Sequence, residues 1–294
     1  MHEHARPARA ESRRRLGLVL ALTCGLLAFE AAAGVLTHSL ALLADAAHLL
    51  GDAAAIGLSF LALTVAGRPP DPRRTYGFHR VEILAALANG VLLVLLSLVI
   101  LFEAWERFRR PSPILGAPML VAAAVALAVN VASLRLLHPG ATESLNLKAA
   151  YLEVLSDALA SLGVVAAAVV ILATGWLAAD AVVSGAIGLF LLPRTFLLLR
   201  DAVDVLLEST PAGVDAGSLR RAIAAVPGVA AVHDLHVWSL TSGLHAMSAH
   251  VVRAEGTAHD DLLLRVRETV LHGFDVHHVT LQVESPGCED AAHE

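Results

Sequence analysis

Residues 38–66 read HSLALLADAAHLLGDAAAIGLSFLALTVA. The run is apolar and long enough to cross a bilayer, since about 20 apolar residues span the ~30 Å hydrocarbon core. Yet Asp45, His48 and Asp52 all lie in its first half. Ionisable groups inside a membrane helix are costly and are rarely left there without a partner or a role. On a helix, His48 and Asp52 are four residues apart and project from one face, with Asp45 one turn before His48. A second stretch answers the first. In residues 146–172, NLKAAYLEVLSDALASLGVVAAAVVIL, Glu153 and Asp157 again stand four apart in an apolar run. Two helices that each carry such a pair offer four N and O ligands between them, a number that suits a tetrahedral, zinc-like ion.

The whole chain has the same character. Of its 294 residues 56% are hydrophobic and only 16% charged, with a mean hydropathy of +0.68. No ordinary soluble domain of this length has that balance, so the class is a polytopic membrane protein. Cys24 and Cys288 are widely separated and form neither a disulfide framework nor a CxxC site. Apolar spans fall at residues 16–36, 38–66, 81–103, 115–137, 148–174 and 177–199, six in all. Pro69, Pro70 and Pro72 forbid continuation after the second span, His138-Pro139-Gly140 breaks the fourth, and Gly175-Trp176 turns the fifth into the sixth. A cleaved signal peptide is the other reading of the start, with basic Arg13 to Arg15, an apolar centre and small residues at 31–34. Glu30 and the immediate onset of another span favour a retained helix. Trp105 and Phe108 suit an interface. Lys and Arg concentrate in the N-terminal tail and in the segments after spans two, four and six, which predicts both termini in the cytoplasm.

From residue 208 the composition turns polar. Helical spacing at 219–226 and 260–271 alternates with strand-like segments at 229–240, 244–253 and 276–284, and Thr241-Ser242-Gly243 suits a hairpin turn. The expected architecture is an α-helical membrane protein: a cytoplasmic tail at 1–15, a six-helix transmembrane domain at 16–207, and a small α+β domain, αββαβ, with a tail at 208–294.

Five blocks in order carry a resemblance: SLALLADAAHLLGD, TYGFHRVEILAALANGV, LNLKAAYLEVLSDALASLGV, AVHDLHVWSLTSGLHAMSAHV and HHVTLQVES. They run through nearly the whole length of the chain, which resembles the cation diffusion facilitators, in particular the bacterial zinc/cadmium/cobalt exporters. The resemblance implies six membrane helices, a cytoplasmic metallochaperone-like domain, a homodimer, and export of divalent metal against protons; the Ala- and Arg-rich, Lys-poor composition points to a bacterium with GC-rich DNA, and so to the inner membrane. The resemblance places His48 and Asp52 on the family's second-helix metal pair, and Glu153 and Asp157 on its fifth-helix pair. His233, His250, His277 and Glu284 fall on positions where its cytoplasmic domain binds metal at the dimer interface. Two departures stand out. Zinc members usually carry His where this chain has Glu153, and a set with three carboxylates moves toward manganese, iron or cobalt. The histidine-rich loop between helices four and five is reduced to His138.

Other polar groups have plainer readings beside functional ones. Asp45 is a candidate proton relay, a support for the ligands or a helix-start residue. Asp180 caps a helix or acts near the membrane site. Asn89, Asn130 and Asn146 suit helix packing or capping. His79 suits a loop surface, with a second loop metal site as the alternative. His236, His245 and His278 suit a solvent-facing side of the sheet, and His2 and His4 suit at most loose metal collection. The expected activity is proton-coupled antiport of Zn²⁺ or a similar ion, with metal and protons as substrates, the lipid bilayer as surroundings, and no nucleic acid. A passive metal channel and an exporter of Mn²⁺, Co²⁺, Cd²⁺ or Fe²⁺ are the alternatives. An intramembrane metallohydrolase would need a motif such as HExxH, which does not occur, so no enzyme is expected.

Overall fold

The structure is a computed structural model that describes residues 5–138 and 145–286. Six long helices come first: α1 Ala5–Thr37, α2 Leu40–Ala66, α3 Arg80–Arg109, α4 Gly116–Leu137, α5 Leu145–Thr174 and α6 Ala178–Leu206. All six contain a stretch long and apolar enough to span a membrane. Helix α1 starts eleven residues before its apolar stretch at Leu16, so residues 5–15 are helical rather than an extended tail. The Ala, Arg and Glu of that segment are strong helix formers, which continue the helix into polar sequence.

The chain divides into two compact units, residues 1–60 with 88–199, and residues 61–87 with 200–294. In the first, the interior is built mainly from small side chains: Ala41, Ala44, Ala122, Ala123, Ala167, Ala168 and Ala179, with Leu42, Met119 and Val164 among them. Without a strong hydrophobic drive between helices in lipid, close backbone approach through small residues is what packs spans together. The large apolar side chains point the other way: Phe60, Phe102, Val121, Leu159, Phe190 and Phe196 are all exposed. That inversion is expected of a surface bathed in acyl chains. Trp105 and Phe108 are exposed as well.

Helices α1 and α2 are separated by a sharp break at His38, whose φ of 59° lies in the left-handed region. The free donors at the start of α2 are taken by a residue 140 positions away. Asp180, fully buried at the start of α6, accepts from Ser39 Oγ at 2.6 Å, Leu40 N at 2.7 Å and Ala41 N at 3.1 Å. Arg107 closes the same corner, donating to the His38 carbonyl at 2.7 Å. Asp180 therefore caps a neighbouring helix rather than only its own.

In the second unit, α7 Ala216–Ala224, β1 Val229–Thr241, β2 Leu244–Arg253, α8 His259–Gly273 and β3 His278–Glu284 give the expected αββαβ order. The sheet order is β1-β2-β3, with β1 antiparallel and β3 parallel to β2. The β1–β2 connection is Ser242-Gly243, where Gly243 takes φ 72°, a value that favours glycine. Both helices cover one side of the sheet through Leu219, Ile223, Leu262, Val266 and Val270, packed on Val237, Met247, Ala249 and Val251. Helix α7 is capped by Asp215, which accepts from the Gly217 and Ser218 backbone N–H groups, both at 3.1 Å. In the α2–α3 connection Asp71 accepts from the Arg73 and Arg74 N–H groups and pairs with the Arg74 guanidinium, contacts that hold its carboxyl below the ordinary range. His79 lines a cavity of about 850 Å³ in this unit, with Arg73, Tyr76, Arg80, Trp238 and Ser248.

Candidate metal sites

The membrane site starts from helical spacing. His48 and Asp52 stand one turn apart on α2, and Asp157 comes from α5. His48 Nε2 lies 3.2 Å from Asp157 Oδ1 and 3.9 Å from Asp52 Oδ2. One ligand atom from each of the three lies within 4.8 Å of the others. His48 and Asp157 are buried, and Asp52 is partly so. His48 Nε2, Asp52 Oδ2 and Asp157 Oδ1 have no hydrogen-bond partner among the described residues. His48 and Asp157 stand at ion-pair distance, and no other donor among the described residues reaches these convergent buried atoms, a costly arrangement. A divalent cation satisfies all of them at once. An apolar cavity of about 270 Å³ between α5 and α6 reaches His48, with Ser156, Gly163 and Leu191 in its wall.

Glu153 does not join this cluster. Both its oxygens face the Arg194 guanidinium of α6 in a two-pronged pair, Nη1 to Oε1 at 2.6 Å and Nη2 to Oε2 at 2.8 Å. Of the four expected ligands, this structure brings three together, and the guanidinium of Arg194 pairs with the fourth.

Asp45 sits behind the site. Its Oδ2 accepts from Ser161 Oγ at 3.1 Å, and Ser161 Oγ accepts from Asn130 Nδ2 at 3.1 Å, so three helices meet through one polar chain. Asn89 donates to the Gly51 carbonyl at 3.4 Å. The sequence reading gave Glu30 no part in this region. It is fully buried in α1, its carboxyl lies against that of Asp45, and neither of its oxygens meets a donor among the described residues. The signal was present, because a Glu inside an apolar span is itself anomalous.

The second site lies on the sheet. His233 and His250 are directly paired across β1 and β2, and Glu284 closes β3 next to them. His233 Nε2 lies 3.0 Å from Glu284 Oε2, and His250 Nδ1 lies 2.9 Å from Glu284 Oε1. Burial pushes the Glu284 carboxyl up, but its contacts with His233, Gln282 and His250 outweigh that and hold it below the ordinary range. Asp234, at φ 49° on the β1 irregularity, reaches His236 at 2.9 Å and His250 at 3.6 Å. His277 is not brought to this group. It precedes β3 and faces Asp275, whereas Glu284 ends β3. Seven residues of strand span roughly 23 Å, too far for one ion to bridge within one chain.

Together these features define a class: a multi-pass helical membrane protein with a metal-shaped polar cluster inside its spans and a small α+β domain carrying a second one. Comparison with known proteins supplies the family. The cation efflux transmembrane domain matches residues 16–207, and the cytoplasmic domain of cation efflux proteins matches residues 211–286. The metal cation efflux system protein CzcD of Cupriavidus metallidurans is 43% identical over 99% of this chain and 92% of its own. The zinc transporter ZitB of Escherichia coli is 39% identical over 94% of this chain and 88% of its own. The cadmium, cobalt and zinc/H(+)-K(+) antiporter of Bacillus subtilis is 37% identical over 89% and 85%. The solved metal-bound C-terminal domain of the Cupriavidus CzcD is 38% identical over 24% of this chain and 99% of its own, with a TM-score of 0.23. The chain belongs to the cation efflux family, the cation diffusion facilitators. It is a metal cation efflux transporter and not an enzyme.

Proposed function

We propose that this protein exports Zn²⁺ from the cytoplasm in exchange for protons, through a site formed by His48, Asp52 and Asp157. The observation that carries the reading is the convergence of three buried ligand atoms, one imidazole nitrogen and two carboxylate oxygens, within 4.8 Å of one another. One imidazole and two carboxylates suit zinc, and they resemble the three-ligand sites that keep a fourth position open. The names of the similar proteins, a zinc transporter and a cadmium, cobalt and zinc antiporter, support the same class of cargo.

Proton coupling follows from ligand chemistry. These groups bind metal only when deprotonated, so arrival of the ion expels protons and its departure readmits them. Asp45, with Glu30 against it, is placed to pass a proton toward the site, and a shared proton is the one hydrogen bond that two facing carboxyls can make. Net transport needs the site to open alternately to each side. The domain division is 1–15, 16–207 and 208–294, with both termini cytoplasmic, the inner membrane as location and a homodimer as the unit. His233, His250 and Glu284 hold metal in the cytoplasmic domain, and His277 contributes only through another copy of the chain. A site with three carboxylates, obtained when Glu153 leaves Arg194, favours Mn²⁺ or Co²⁺ as the second reading. Replacing Asp157 by Ala tests the reading. Zinc flux in proteoliposomes is lost while the dimer remains folded, and wild-type flux in this variant would refute the site.

A further inference from the structure

Arg194, the partner of Glu153, lies beside the metal site without being one of its ligands. It lies in α6 directly after Pro193, in the interior of the helix, and its side chain is 64% exposed. A guanidinium inside a span is expensive against acyl chains, so it faces a water-filled space or protein. Its two-pronged pairing with Glu153, at 2.6 and 2.8 Å, is the strong geometry for a carboxylate. Glu153 stands one turn from Asp157 on the same helix, close enough to act as a ligand if released.

We propose that Arg194 is a specificity-determining residue: it holds Glu153 out of the metal site and cancels its charge, so that the transported ion meets one imidazole and two carboxylates. This rests on the transport site argued above. The consequence follows from counting charge. The Arg194–Glu153 pair contributes zero in the native protein. Removing the arginine leaves an extra carboxylate beside the site, which strengthens binding of oxygen-seeking ions such as Mn²⁺. Removing the glutamate leaves an uncancelled cation, which repels every divalent ion. Removing both restores neutrality.

The test is competitive Zn²⁺ and Mn²⁺ flux by the full-length transporter in proteoliposomes. Half-saturation and the Zn²⁺/Mn²⁺ preference are read for four variants: Arg194→Gln, Glu153→Gln, the double replacement, and Asp157→Ala. Arg194→Gln lowers half-saturation for both ions, because the added negative charge attracts any divalent cation, and shifts preference toward Mn²⁺ by about tenfold, because the freed Glu153 adds a carboxylate oxygen that harder ions favour. Glu153→Gln raises half-saturation for both ions by about as much. The double replacement returns half-saturation and preference to within about threefold of wild type, a result that a merely structural salt bridge does not produce. If Glu153 is itself a ligand, the double replacement stays as impaired as Glu153→Gln, and that outcome overturns the proposal even should Arg194→Gln alone fail to fold. Asp157→Ala separates the two layers: retained flux there removes the transport site, whereas lost flux without rescue in the double variant removes only the role of Arg194.

Discussion

Asp180 is the most consequential polar residue away from the metal site. It is buried completely and accepts three hydrogen bonds that begin α2, with the Arg107 guanidinium 4.0 Å off. Helix α2 carries His48 and Asp52, so this cap fixes the start of the helix that holds two site residues. Replacement by Ala removes all three acceptors. Two backbone N–H groups and the Ser39 hydroxyl then lose their partner in a region closed to water, and each buried orphan costs about 1–3 kcal/mol. Loss of a helix cap alone costs about 1 kcal/mol. Part of this is returned, because a buried carboxylate no longer has to be desolvated. The net expected destabilisation is about 3–5 kcal/mol, the range for breaking a buried charged interaction by removing one partner. At roughly 2–4 °C per kcal/mol for a chain of this size, the apparent melting temperature of the detergent-solubilised transporter falls by about 10 °C. Metal half-saturation in whatever fraction stays folded changes little, since Asp180 is not in the ligand cluster. A melting temperature within 2 °C of wild type, a margin on the order of half a kcal/mol, would show that the cap does not hold α2.

Three further outcomes follow from the geometry. Deleting residues 208–294 weakens dimerisation and reduces zinc flux without abolishing it, because His48, Asp52 and Asp157 all lie before the cut; sedimentation and flux measured on the same preparation check this. Replacing His250 by Ala removes a ligand atom from the sheet cluster and leaves the membrane cluster untouched, so the purified full-length protein loses its cytoplasmic metal, by elemental analysis, while keeping the membrane site. The carboxyl of Asp215 is held below its ordinary value of 3.8 by the Ser218 hydroxyl, the Gly217 and Ser218 N–H groups and the Arg221 charge. Its stabilisation of α7 is therefore complete above that value and is lost as pH falls through the lowered one; hydrogen exchange at Gly217 and Ser218, corrected for intrinsic rates, stays protected at pH 5 and loses protection only below about pH 4.

The spans, their breaks and the αββαβ order were legible because each rests on local pattern. Apolar runs of membrane length end at Pro69, Pro70, His138 and Gly175, and alternating residues mark β1 and β2. The i, i+4 spacing of His48 with Asp52 was equally local. The Glu153 environment was not, because Arg194 is 41 residues distant and only the packing of α5 against α6 brings them together. Spacing puts Glu153 on the right face of its helix but says nothing of a competing cation on another. Asp180 was legible as a helix-start carboxylate, yet the helix it caps begins 140 positions earlier. His277 was grouped with His233, His250 and Glu284 because all four match positions where the family binds metal at the dimer interface. Strand geometry separates it, since it stands at the opposite end of β3 from Glu284. Glu30 is the reverse case: its burial was readable from the run around it, and its partner Asp45 only from the packing of α1.

The central claim is that convergent, buried ligand atoms in the membrane couple metal to protons. It is tested most directly by zinc uptake into proteoliposomes holding the purified full-length protein, with and without an imposed pH gradient. The gradient is set acidic on the side that receives the protein's cytoplasmic face in one half of the experiment and on the opposite side in the other. The account predicts that uptake is accelerated when protons flow against zinc, is suppressed when the gradient is reversed, and moves protons measurably only when zinc is present. Zinc flux of equal rate in all three conditions, with no accompanying proton movement, would mean a passive metal channel and would contradict it.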